Sequence, residues 1–92
     1  MPDQPPSRFP PWVDSVEDIE LRHKVREALS AREHATSCGA NPRSMQLADR
    51  HLAAIAEGRV TGKAAQYRAA AAGRRYERLA RRASRRPPRR PE

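Results

Sequence analysis

The stretch GKAAQYRAAAAGRRYERLARRASRR, residues 62–86, decides the fold of this chain. At about 100° per residue, a helix through this stretch places six small or apolar side chains within about 60° of Tyr76. The arginines from residue 74 onward fall outside that arc. The pattern predicts one long helix with a narrow packing seam, suited to close contact with the helix before it, and an opposite face of guanidinium groups. The seam is Ala65, Ala69, Ala72, Tyr76, Leu79, Ala80 and Ala83.

Positive charge is concentrated at the C-terminal end of the chain. Residues 63–92 hold eleven of the nineteen Lys and Arg residues and only two Glu residues, whereas residues 1–62 hold eight cationic and nine acidic residues. Residues 1–62 are therefore nearly neutral, and residues 63–92 are strongly cationic. This asymmetry is typical of proteins that bind polyanions, so the sequence predicts nucleic acid, or an acidic protein face, as the partner.

Capping residues, a glycine and a proline predict two further helices upstream of this stretch. Asp14 or Ser15 is expected to cap the first, and Gly39 is suited to ending it in the left-handed conformation. Asn41 is expected to cap the second, with Pro42 at its first position, where a missing N–H costs nothing. The fold class is therefore predicted to be all-α, a small three-helix unit over residues 14–84. Its helices are expected at residues 14–36, 42–57 and 62–84.

Proline marks both ends of the chain. Residues 1–13 contain five of the nine prolines and are predicted to form an extended arm, while residues 85–92 are predicted to be a basic tail rich in Pro and Arg. Phe9 and Trp12 flank two prolines of the arm. Two interpretations of this pair stay open: the aromatic side chains fold back onto the core, or they form a docking motif in which Trp12 contacts a partner.

The predicted core is small. Fourteen large apolar side chains lie between Val13 and Leu79, Tyr67 among them, and they leave little margin over the entropy lost when the chain is ordered. A marginal monomer, or one completed by a partner protein or its own homodimer, is therefore expected. The residues expected in the core of the last two helices are Leu52, Ile55, Tyr76 and Leu79.

The arginine face predicts how a polyanion is held. Guanidinium groups grip phosphate oxygens in pairs, and neutralising several phosphates releases counterions, so affinity should fall steeply with salt. The helix has no Asn or Gln after Gln66, so weak sequence specificity is expected, for DNA or RNA alike. A helix-turn-helix, with residues 58–61 as the turn, stays open as an alternative. The predicted phosphate contacts are Arg74, Arg75, Arg78, Arg81, Arg82, Arg85 and Arg86.

Other function classes find no support in the residue pattern. Cys38 is the single cysteine, which favours a reducing, cytoplasmic compartment, and no apolar run approaches the ~20 residues of a membrane span. His34 and Cys38 lie four residues apart, but zinc needs three or four ligands. No nucleophile–base or paired-carboxylate pattern stands out. We therefore expect a protein with no catalytic residues, metal, cofactor or membrane partner.

Part of the chain, residues 25–65, resembles a known protein family. It reads V-x-x-A-L at residues 25–29, then Gly39, then a helix begun by Pro42, then A-E-G-R-V-T at residues 56–61 opening another helix. This arrangement resembles the small VbhA-type antitoxins that inhibit Fic-domain AMP-transferases.

The resemblance implies a second function. Proteins of that family are three-helix units in which a Ser or Thr and a Glu-Gly pair on an early helix block productive ATP binding by the toxin. Here Ser30 and Glu33 would take those roles, with Trp12 as a further partner contact. The alternative to nucleic-acid binding is therefore an antitoxin-like or adaptor protein that binds a partner protein through its first long helix.

Overall fold

The computed structural model describes residues 9–85, which form four helices and contain no strand. The predicted all-α class is therefore confirmed. The three long helices are the predicted ones, and the short first helix was not anticipated. In chain order the elements are α1 (Pro11–Asp14), α2 (Ile19–Ser37), α3 (Pro42–Ala56) and α4 (Gly62–Arg85).

Helix α4 is the central element of the bundle. It packs most extensively on α2 and less on α3, and α2 and α3 contact each other little. The predicted packing of α4 on α3 is present, whereas the more extensive contact with α2 was not predicted. The backbone of α4 lies close to α2 at Gly73, where an added Cβ would be in ordinary van der Waals contact with Ala28, 3.6 Å from its Cα. The predicted core residues Leu52, Ile55, Tyr76 and Leu79 are all buried.

Helix α2 begins later than predicted. Its N-cap is Asp18, whose carboxylate accepts hydrogen bonds from the backbone N–H groups of Glu20 at 3.0 Å and Leu21 at 3.2 Å. The predicted start at Asp14 or Ser15 was wrong, because Asp14 ends α1 and Ser15 follows it as the C-cap. All three residues, two Asp and one Ser, are good caps, and tertiary packing selects among them.

The N-terminal arm is more folded than predicted. Residues 1–8 lie outside the described part of the chain, but Pro11 opens a helical turn in which the Val13 N–H donates to the Pro10 carbonyl at 3.1 Å. Proline fits the first turn of a helix because its missing N–H would have no partner there. This turn brings Val13 into the core, where it is fully buried. Phe9 and Trp12 pack partly buried against the same core, which confirms the fold-back interpretation.

The residues predicted to begin α3 and to end α2 and α3 have those roles in the structure. The backbone N–H of Arg43 donates to the Asn41 side chain at 2.9 Å, and Pro42 is the first helical residue. Gly39 and Gly58 have φ angles of 86° and 73°, a left-handed conformation that glycine adopts without steric cost. These residues end α2 and α3 and set the path into α4.

We expect Asp18→Ala to lower the free energy of unfolding by about 1 kcal/mol, because two N–H groups of α2 lose their acceptor. The amide of Gln66 in α4, which donates to Asp18 at 3.0 Å, loses its partner too. Urea denaturation followed by circular dichroism measures the change. Glu17→Ala removes the neighbouring exposed carboxylate and is the control, expected within about 0.5 kcal/mol of the parent. Equal losses in the two variants would contradict the capping role.

Candidate nucleic-acid interface

The outward side of α4 carries a row of exposed cations, which we call the cationic face. It exists because the seam turns inward onto α2 and α3, leaving the opposite side of the helix in solvent. Helix α4 as a whole contains eight Lys or Arg residues and a single Glu. The members of the cationic face are Lys63, Arg74, Arg78, Arg81, Arg82 and Arg85.

The arginines of the cationic face are not engaged with the rest of the protein. Within residues 9–85, none of them forms an ion pair or a side-chain hydrogen bond. Arg74 lines a groove with Glu27 of α2 and Glu77 of α4 but forms no ion pair with either, and Glu27 pairs with His23 at 3.0 Å on its own helix. Further ion pairs among the described residues are Arg26–Asp14, Arg32–Asp49 and Arg59–Glu57, none of which involves the cationic face. The guanidinium groups of the cationic face are therefore available to an external anion.

Arg75 stands apart from the other predicted phosphate contacts. It is half-buried at the edge of the cationic face, and its Nε–H donates to the Ser44 carbonyl at 3.2 Å. One of its five donors therefore joins α4 to α3, which fixes the guanidinium group at the border of the face. Arg86 lies outside the described residues.

The cationic face is long compared with the spacing of phosphates. Lys63 and Arg85 are separated by about 33 Å along the helix axis, at 1.5 Å per residue. This is close to one turn of B-DNA, which is ~34–36 Å. A helix of this length can therefore contact several phosphates at once.

A polar network fixes α4 against both of its neighbours. The Tyr76 hydroxyl donates to the Asp49 carboxylate of α3, which also accepts from Arg32 Nε of α2 at 2.9 Å. Burial raises the pKa of Asp49, but the hydrogen bonds from Arg32 and Tyr76 outweigh it and hold that pKa below its usual value. Burial, together with the hydrogen bond to Asp49, raises the pKa of Tyr76, so its hydroxyl stays a donor.

We expect Asp49→Asn to lower the free energy of unfolding at neutral pH by about 1–3 kcal/mol, because the charged acceptor of two hydrogen bonds is lost. A carboxyl whose pKa is lower in the folded than in the unfolded state adds stability at neutral pH. That stability disappears as the pH falls from about 5 to about 2. The parent should therefore lose more stability with acid than the variant does, in urea denaturation over a pH series.

The control for Asp49 is Glu57→Gln, which breaks an exposed ion pair with Arg59 at 3.0 Å. Exposed pairs contribute little, so this variant should stay within about 1 kcal/mol of the parent. Parallel acid responses in the parent and in Asp49→Asn would contradict the proposed role of the Asp49 carboxylate.

His34 and Cys38, the two candidate metal ligands, form contacts within the protein. The Cys38 Sγ lies 3.7 Å from His34 Nε2 and accepts a hydrogen bond from the Ser84 hydroxyl at 3.3 Å. The described residues include no group of three or more His, Cys, Asp or Glu placed to hold a metal ion. These contacts join the end of α2 to the end of α4.

The predicted partner-binding residues lie on α1 and α2 rather than on α4. Trp12 is half-buried and lines a groove of about 380 Å³ with Glu17 and Asp18. Ser30 and Glu33 lie on α2, and each makes interactions within the protein. Glu33 lines a groove beside Phe9 rather than the one beside Glu17 and Asp18. The groove at Trp12 therefore has acidic side chains where the cationic face has basic ones.

Tyr67 is a candidate binding residue that the sequence analysis missed. It was counted with the core, but its side chain is 71% exposed. The sequence does contain the signal, because Tyr67 precedes Tyr76 by nine residues, or about half a turn beyond two full turns. With Tyr76 facing inward, Tyr67 must face outward among the cations.

No protein-family model, curated protein or solved structure matches this chain. The resemblance to VbhA-type antitoxins therefore stays a prediction. Among residues 9–85, no helix combines the length and apolar character needed to cross a membrane.

Proposed function

We propose that this chain is a small, non-enzymatic regulatory or accessory protein that binds nucleic acid through phosphate contacts along the cationic face. The observation that carries this proposal is the row of exposed arginines that have no partner within residues 9–85. An arginine already paired with a carboxylate must lose that pair before it binds phosphate. These arginines lose only water and their counterions.

The arginines of α4 include several like-charge pairs that a bound polyanion would relieve, which supports a role in binding. Arg74 and Arg78 lie four residues apart on one helix, and so do Arg78 and Arg82, and Arg81 and Arg85. Like charges at this spacing destabilise a helix by about 0.2–0.5 kcal/mol per pair. A polyanion bound along the face removes that repulsion.

Weak sequence specificity is part of the proposal. Gln66 is the only side-chain amide on α4, and it donates its N–H to Asp18 at 3.0 Å. This leaves the arginines and Lys63 as the residues of the face that can recognise a base edge, and both residue types favour guanine. Phosphate contacts carry no sequence information, so unrelated sequences should bind with similar affinity.

A salt series tests the proposal. Fluorescence anisotropy of labelled oligonucleotides of unrelated sequence should show binding that weakens as salt is added. With about five phosphate contacts, affinity should fall about hundredfold or more between ~50 and ~200 mM salt. Absence of binding at low salt, or an affinity independent of salt, would contradict the proposal.

A second proposal, an antitoxin-like or adaptor function, is favoured by the start of α2. Ile19 is 74% exposed there and follows Asp18, which lines the groove with Trp12, so its side chain offers an apolar contact for a protein next to that groove. Copurification from the native host separates the two functions. A stoichiometric protein partner retained at high salt supports the adaptor, and an association that nuclease removes supports nucleic-acid binding.

A further inference from the structure

Tyr67 is the one aromatic residue of this chain that does not pack. The chain has four aromatic residues, and all of them lie within residues 9–85. Phe9 and Trp12 pack against the core and Tyr76 lies inside it, whereas the Tyr67 side chain is 71% exposed. Leaving a phenol ring in water contributes nothing to folding, so its position suggests a contact with a ligand.

The phenol ring lies in line with the cationic face. Arg85 follows Tyr67 by eighteen residues, which is about five full helical turns, so the two side chains leave the helix in the same direction. Arg74 and Arg78 lie within about 20° of the same line, between Tyr67 and Arg85. One aromatic ring and a row of guanidinium groups therefore share a single surface about 27 Å long.

Space around the ring allows a flat ligand to reach it. The helical neighbours of Tyr67 on its own face are Lys63 and Ala64 in the turn before, and Ala70 and Ala71 in the turn after. Three of these four side chains are methyl groups. A planar group can therefore approach the ring without displacing a large side chain.

A base in a single strand is the ligand whose chemistry matches this combination. Single-strand binders join a cationic surface that follows the backbone with aromatic side chains on which bases stack. In a duplex the base faces are covered by their neighbours, and only the edges are exposed. The cationic face lacks a free amide for reading edges, since Gln66 is bound to Asp18.

We infer that the cationic face prefers single-stranded nucleic acid to duplex, with a base stacked on Tyr67 and the phosphates that follow held by the arginines beyond it. This inference rests on the proposed function, because stacking on one ring adds to phosphate binding and does not replace it. DNA and RNA strands share the chemistry of the base face and the phosphate.

Comparison of full-length Tyr67→Ala and Tyr67→Phe with the parent tests this inference. The probes are a short DNA strand, the RNA strand of the same sequence and the matching DNA duplex, at one low salt concentration. The parent should bind the single strands more tightly than the duplex. Tyr67→Ala should weaken single-strand binding about fivefold or more and change duplex binding less than about twofold. Tyr67→Phe, which keeps the ring, should bind as the parent does.

The controls separate the stacking role of Tyr67 from the proposed phosphate binding on which it rests. Leu47→Ala removes another exposed apolar side chain, on α3, and should change neither affinity. Equal loss on single strand and duplex, or no loss on either, would overturn the stacking role while leaving phosphate binding intact. If the parent binds none of the probes at low salt, the proposed function itself fails.

Discussion

Replacing Arg74, Arg78 and Arg81 together with Gln is expected to weaken nucleic-acid binding about hundredfold at low salt. Each removed guanidinium group is exposed, has no other partner among the described residues and is proposed to bind phosphate, and each such contact would contribute about 1 kcal/mol or more. The dependence of log affinity on log salt should also become shallower by about 2 to 3, because fewer counterions are released. Gln keeps a long polar side chain and a good helix propensity. Anisotropy titrations at several salt concentrations give both quantities.

The matched control replaces Arg43, Arg50 and Arg59 with Gln. These residues are also exposed, and the net charge changes by the same amount, but none of them lies on α4. If the arrangement of charge along the cationic face determines binding, this control should lose less than about fivefold in affinity. Equal losses in the two triple variants would show that net charge alone controls binding, which contradicts the assignment of the cationic face.

Tyr76→Ala is expected to have the largest effect on stability, lowering the free energy of unfolding by about 3–5 kcal/mol. The Tyr76 side chain is fully buried at the centre of the bundle, and its hydroxyl donates to Asp49. A core this small cannot close around the cavity, so we expect the variant to be largely unfolded at room temperature. Circular dichroism measures the helix content and the thermal midpoint.

Tyr67→Ala is the control for this prediction, because it makes the same substitution nine residues earlier on the same helix. Its side chain is mostly exposed, so its stability should stay within about 0.5 kcal/mol of the parent. Tyr76→Phe, which keeps the ring and loses only the hydroxyl, should cost about 1–2 kcal/mol. A Tyr76→Ala variant that melts like the parent would contradict the central position of α4.

The sequence alone was sufficient to predict α4 and its two faces, because one helical repeat runs along the whole helix. Its seam and its arginines alternate with the helical repeat over more than twenty residues, so the inward and outward sides could be assigned before any partner was known. The start of α3 could also be predicted from local sequence, since Asn41 and Pro42 together define the beginning of a helix.

The start of α2 could not be predicted from local chemistry. Asp14, Ser15 and Asp18 are all good caps, and the choice among them is made by the burial of Val13, which a residue pattern does not show. The hydrogen-bond partners of Arg75 and Tyr76 could not be predicted for the same reason. Spacing along α4 places Arg75 and Tyr76, but the Ser44 carbonyl and the Asp49 carboxylate come from another helix.

The most direct measurement of the central claim is a nuclear magnetic resonance titration of the full-length protein with a short single-stranded oligonucleotide at low salt. We predict that the largest shifts occur at the Nε–H signals of Arg74, Arg78, Arg81, Arg82 and Arg85 and at the ring of Tyr67, and that added salt reverses them. Shifts confined to Trp12 and α2, with the cationic face unchanged, would contradict the account.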